Sequence, residues 1–154
     1  ETHIRWYIVN DGVMGGLSQG KFMFSKDETG LFTGNISLDN NGGFSWLKGY
    51  DPEMNIDEAE GIQIRVKGDG RKFGLTLMNS DRRRAMYFTS TFETLKDEWQ
   101  EISIPLKDLK GRFYGQNVNA VTSMNKSMMN EIGFILYDKN DGPFSLEIDW
   151  IKAY

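Results

Sequence analysis

Gly61-Ile62-Gln63-Ile64-Arg65-Val66-Lys67 is the stretch whose reading decides the fold. Apolar and polar residues alternate through it without a break. A period of two means a strand with one face buried and the other wet. Gly68-Asp69-Gly70 turns the chain, and Phe73, Leu75 and Leu77 carry the same alternation into the next strand. Two such runs joined by a glycine turn read as antiparallel neighbours.

Working outward, the pattern recurs. Phe32, Gly34, Ile36 and Leu38 alternate with Thr33, Asn35 and Ser37. Ile102, Ile104 and Leu106 are in phase; Trp99 is out of phase with them and marks a bulge or a strand start. Ile132, Phe134 and Leu136 face one way, Ile135 and Tyr137 the other. Phe144, Leu146, Ile148 and Trp150 alternate with Ser145, Glu147 and Asp149, which assigns Trp150 to the core. Shorter extended segments are expected at 4–9, 21–25, 44–48 and 85–91. Residues 49–60 read as a loop with a short helical turn at 56–59. Residues 107–130 are the least regular part, expected as loops with another helical turn. No segment holds a helical period. About ten short strands separated by turns predict an all-β, antiparallel sandwich or barrel. No linker or repeat divides residues 1–154, so one domain is expected.

Composition narrows the chemistry. The net charge of −4 argues against a nucleic-acid partner, since phosphate contacts need clustered Lys and Arg. The absence of cysteine removes disulfides, thiolate metal sites and cysteine nucleophiles. His3 is the one histidine, so a histidine metal site or a Ser-His-Asp triad has no material. No run is long enough to span a membrane as a helix. The chain begins at Glu1, so a targeting segment upstream would not be seen in it.

Asn10-Asp11-Gly12-Val13-Met14-Gly15-Gly16-Leu17-Ser18-Gln19-Gly20 holds too much glycine for a regular element and too much apolar surface for an idle linker. Its Gly15-to-Lys21 portion nearly spells a phosphate loop. Phe22 replaces the Ser or Thr that would hold magnesium, and Phe22 and Phe24 follow with strand rather than helix spacing. Asp138-Lys139-Asn140-Asp141-Gly142 resembles part of a calcium loop but lacks the distal glutamate, and reads as a hairpin turn. No cofactor is expected; a structural calcium held partly by backbone carbonyls is compatible with a β-sandwich. Arg82-Arg83-Arg84 reads as a solvated hairpin tip rather than an anion site. Two Asn-X-Ser triplets, at Asn35 and Asn125, fit the glycosylation pattern, but such triplets are common by chance. Carboxylates are plentiful, yet no spacing pairs two of them for glycoside hydrolysis.

Several stretches together resemble the complex I intermediate-associated protein 30 (CIA30) domain family. They are Trp6 with residues 10–20, Phe32-Thr33-Gly34, and Ser37-Leu38-Asp39-Asn40-Asn41-Gly42-Gly43-Phe44. The likeness continues through residues 61–71, 99–106, 132–134 and 142–151. It implies a galactose-binding-domain-like jelly roll, a fold shared with carbohydrate-binding modules. It also implies a non-enzymatic role, binding a protein partner in respiratory complex I assembly or as a chaperone. The compact length resembles the bacterial stand-alone form. Where the family pattern carries a small residue and then an arginine after Gly43-Phe44-Ser45, this chain has Trp46 and Lys48. Lysine cannot copy the two-point geometry of a guanidinium, so Trp46 is expected to offer a stacking surface instead, with Tyr87 as a second aromatic.

The candidate binding residues are therefore Asn10, Asp11, Met14, Gly15, Gly16, Ser18, Asn41, Gly42, Trp46, Lys48 and Tyr87. A protein partner is the first expectation, with carbohydrate as the alternative and a monomer as the working state. The two glycine stretches are expected to pack together at one end of the sandwich. Gly15 and Gly16 would allow close approach, Met14 would plug the core, and Asp11 and Ser18 would serve backbone groups of the turns.

Overall fold

The computed structural model describes residues 4–14, 16–81, 86–113, 116–117 and 124–154. Among them are strands β1 (Arg5–Asn10), β2 (Gln19–Phe24), β3 (Gly30–Ile36), β4 (Ser45–Tyr50), β5 (Gly61–Lys67) and β6 (Lys72–Met78). They continue with β7 (Met86–Glu93), β8 (Trp99–Pro105), β9 (Lys110–Phe113), β10 (Gln116–Asn117), β11 (Glu131–Leu136) and β12 (Gly142–Ala153). Helical backbone among the described residues is confined to four single 3₁₀ turns, at Asp11–Met14, Asp39–Asn41, Leu106–Asp108 and Lys126–Met128.

Two antiparallel sheets form a jelly-roll-like sandwich. The larger runs β1-β4-β11-β6-β7-β9-β10 and the smaller β2-β3-β12-β5-β8. The alternating apolar residues meet between them. Phe32, Ile64, Phe73, Leu75, Phe134 and Leu146 are all fully buried there. Phe73, Phe92, Phe134, Phe144 and Phe32 form a chain of ring contacts through this layer.

Two expectations change, and two others, at 56–59 and Trp99, hold. Trp150 is not a core residue. The pairing of β12 with β5 slips between Ile148, opposite Val66, and Trp150, opposite Arg65. The extra residue, Asp149, is a β-bulge that reverses the alternation. Trp150 therefore joins Arg65 on the outer face, and Ile151, opposite Ile64, turns inward in its place. Part of the irregular 107–130 region is strand, because Lys110–Phe113 pairs with β7. Residues 56–59 form a turn closed by the Ala59 N–H donating to the Ile56 carbonyl at 3.0 Å. Trp99 begins β8, on the outer face beside Lys67.

Candidate binding surfaces

The first glycine stretch follows β1 and the second precedes β4, and β1 and β4 are hydrogen-bonded neighbours. Their pairing brings the two turns together. Asp11 sits at the junction, 1 % exposed. Its carboxylate accepts from the N–H of Ser18 at 2.9 Å, Gly43 at 2.6 Å and Phe44 at 3.2 Å. Burial by itself pushes this carboxyl up. Hydrogen bonds from Ser18, Gly43 and Phe44 together outweigh that and hold it below the usual value of 3.8. Ser18 extends the tie: its hydroxyl donates to the Ser37 carbonyl at 3.1 Å and accepts from the Ser37 N–H at 2.9 Å.

This geometry explains the glycines. A Cβ on Gly16 would lie 2.3 Å from the Asp11 Cγ, and one on Gly42 would lie 2.6 Å from its Oδ2. Gly43 has φ of +140°, where a side chain is strained. The neighbouring Asn10 accepts from the Ser45 hydroxyl at 2.6 Å. Asn10, Asp11, Gly16, Ser18 and Gly42 are thus brought to one place. Gly15 and the side chains of Met14 and Asn41 lie outside the described residues, as do His3 and Arg82-Arg83-Arg84.

Trp46, Lys48 and Tyr87 form a second group, on the outer face of the larger sheet. Trp46 is 2 % exposed and Tyr87 also 2 %. Their rings meet edge-on with centroids 4.6 Å apart, and Met78 and Ile135 pack around them. The Trp46 indole reaches across β11 to donate to the Thr76 hydroxyl at 3.0 Å. The Lys48 ammonium lies 4.1 Å from the Trp46 ring centroid, a cation–π contact. The expected stacking surface is therefore absent from Trp46 and Tyr87: both rings are enclosed by their neighbours.

The alternation pattern did not single out this layer's polar members. Glu131, 3 % exposed, accepts from the Tyr7 hydroxyl across the sheet. Thr89 Oγ1 and Arg112 Nε are buried without a hydrogen-bond partner among the described residues. Polar positions in an alternating strand normally point to water, so nothing in the spacing announces a second buried face.

The calcium-like turn is occupied by an arginine. Arg71 pairs with both oxygens of Asp138, at 2.9 Å from Nε and 2.7 Å from Nη2. The same guanidinium donates to the carbonyls of Gly142 at 3.1 Å, Pro143 at 3.0 Å and Asn140. Among the described residues no three His, Asp or Glu are grouped to hold a metal ion. No helix among them is long and apolar enough to cross a membrane.

The sandwich shares its fold with carbohydrate-binding modules. A family 11 carbohydrate-binding module from Clostridium thermocellum, solved with a β-1,3-1,4-mixed-linked tetrasaccharide, is similar over 99% of this chain and 89% of its own, with a TM-score of 0.65 and 15% identity. The family 11 module of a cellulosomal cellulase from the same organism matches over 95% and 86%, with a TM-score of 0.64 and 13% identity. At such identities the likeness is one of fold. Sequence gives the family: the model of Complex I intermediate-associated protein 30 (CIA30) matches residues 1–148, and the chain belongs to this family. The mouse mitochondrial complex I intermediate-associated protein 30 is 28% identical over 174 residues, covering 97% of this chain. The chain spans about half, 52%, of that relative's length.

Proposed function

We propose that this chain is a non-catalytic binding domain that holds a protein partner during the assembly of respiratory complex I. The family match across residues 1–148 is the observation that carries this reading. The arrangement of Trp46 and Tyr87 is in keeping with it. A sugar-binding module needs open aromatic faces on which a ring can stack. Trp46 and Tyr87, the aromatics best placed by sequence, are enclosed in the sheet face, and the Trp46 indole is hydrogen-bonded there to Thr76. Fold likeness to carbohydrate-binding modules does not transfer their ligand.

Deleting the gene in the source organism tests the proposal. Mature complex I falls and a subcomplex accumulates on native gels, and the intact gene restores both. Normal complex I in the deletion strain sinks the reading. Titrating the domain with a mixed-linked β-glucan tetrasaccharide is the companion measurement; saturable heat at millimolar sugar favours the carbohydrate alternative.

A further inference from the structure

Two polar groups on the outer face of the larger sheet have no structural use, and both lie at its β7–β9 side. Thr89 is 8 % exposed, and its hydroxyl makes no hydrogen bond among the described residues. Thr76 stands opposite it on β6 and serves the Trp46 indole instead. Lys110 stands opposite it on β9. Arg112 is the next outward position of β9, opposite Tyr87. Its Nε is buried and likewise without a partner among the described residues. Arg65, Lys67 and Arg71 each hold a carboxylate, whereas neither Lys110 nor Arg112 is in an ion pair among the described residues.

Buried polar groups in folded chains are paired, so each exception points to a water, an ion or a ligand. The donor set decides which. A guanidinium and an ammonium only donate, so whatever serves Arg112 and Lys110 must accept, and a charged acceptor does so most strongly. The rest of the face does not supply one. By register its strands turn Arg5, Lys48, Lys72, Lys110 and Arg112 outward, against Glu93 and Glu131. Glu93 stands opposite Lys72, and Glu131 accepts from Tyr7. This positive surplus is local, because the whole chain carries a net charge of −4. Tyr87, 2 % exposed beside Arg112, keeps water from one side of the guanidinium, where a charge-assisted hydrogen bond is less screened.

A simple inorganic anion would satisfy Arg112 and Lys110 and leave Thr89 as it is. A peptide brings both kinds of group, a side-chain carboxylate and, within a residue or two, a backbone carbonyl for the hydroxyl. We propose that this face receives an acidic segment of a partner protein, with an aspartate or glutamate carboxylate held by Arg112 and Lys110 and a neighbouring carbonyl accepting from Thr89. The inference rests on the protein-binding reading above and names the chemistry of the partner.

The test uses the whole ¹⁵N-labelled chain at constant ionic strength. The ligand is a seven-residue peptide alternating glutamate with serine, compared with its glutamine counterpart and with acetate and inorganic phosphate. The glutamate peptide is expected to shift the Arg112 Nε–H and the amides of β7 and β9 saturably. The glutamine peptide should bind at least roughly tenfold more weakly, as loss of charge complementarity at a recognition site does. Arg112→Lys keeps the charge and loses the planar fork, and Lys110→Gln alters an exposed side chain; each should weaken the glutamate peptide several-fold. Thr89→Val removes a hydroxyl with nothing to bond, so the free chain should melt no lower than wild type while the peptide binds more weakly. Equal binding of the two peptides overturns the proposal. So do shifts mapping away from β7 and β9, phosphate or acetate binding as tightly as the peptide, and binding undiminished by Arg112→Lys and Lys110→Gln. A Thr89→Val chain that melts lower and binds the peptide as before also overturns it, marking a buried water at that hydroxyl. A natural partner held equally by wild type and by the Arg112→Lys, Lys110→Gln double variant removes this site and leaves the protein-binding reading standing. A chain that binds the glutamate peptide yet whose deletion spares complex I does the reverse.

Discussion

Asp11 ties two separate turns together, because one carboxylate answers three of their backbone N–H groups. Hydrogen bonds to a charged acceptor contribute more than neutral ones, and a buried donor left unmade costs more still. Asp11→Ala is therefore expected to lower unfolding free energy by about 3 kcal/mol in urea melts. Asp11→Asn should lose less, since its carbonyl oxygen still accepts while its amide faces donors. The acid limb of stability follows from the same contacts. Because the folded carboxyl titrates below 3.8, its contribution is complete above that pH and disappears as pH falls through the depressed folded value. Below pH 4 the wild type should lose stability more steeply than Asp11→Ala, measured by denaturation at stepped pH. The density of glycine at residues 10–20 and 40–43 made this junction legible, because only close backbone approach or positive φ demands such a run. The partners of Asp11 were not legible in spacing alone; Ser18 is near in sequence, but Gly43 and Phe44 arrive only when β1 pairs with β4.

At the level of elements, Arg71 fastens the β5–β6 turn to the β11–β12 turn. Its carboxylate partner Asp138 feels burial pushing its pKa up, but the Arg71 guanidinium and the Asn140 N–H hold it down. A planar fork meets two carboxylate oxygens and several carbonyls at once, which an ammonium cannot do. Arg71→Lys should cost about 2 kcal/mol, seen as a fall of roughly 4–8 °C in thermal midpoint. The strands themselves could be read from sequence wherever alternation ran clean, as in β5, β6 and β11. Short β9 and β10 escaped because four residues or fewer show no period. The buried layer around Trp46, Thr76 and Glu131 escaped for a different reason: its polar members occupy positions that a one-faced sheet would give to water.

On the scale of the whole molecule, β12 joins the two halves of the smaller sheet. It pairs with β3 through its first half and with β5 through its second. The bulge at Asp149 falls within the pairing with β5, between Ile148 opposite Val66 and Trp150 opposite Arg65. Asp149→Ala removes one exposed ion pair with Arg65 and should change stability by less than about 1 kcal/mol. Deleting Asp149 removes the extra residue, so Trp150 stays opposite Arg65 and Ile151 opposite Ile64 in an unbroken ladder. The deletion variant should therefore keep a urea midpoint close to that of Asp149→Ala, whereas inserting one residue between Trp150 and Ile151 sends Ile151 to the outer face and should unfold at far lower urea.

The bulge thus behaves like a silent letter in a text. What position 149 spells is nearly indifferent, and the strand reads the residues after it as though it were skipped. A deletion there would be absorbed, whereas an insertion beyond Trp150 would turn Ile151 out of the closing edge of the core.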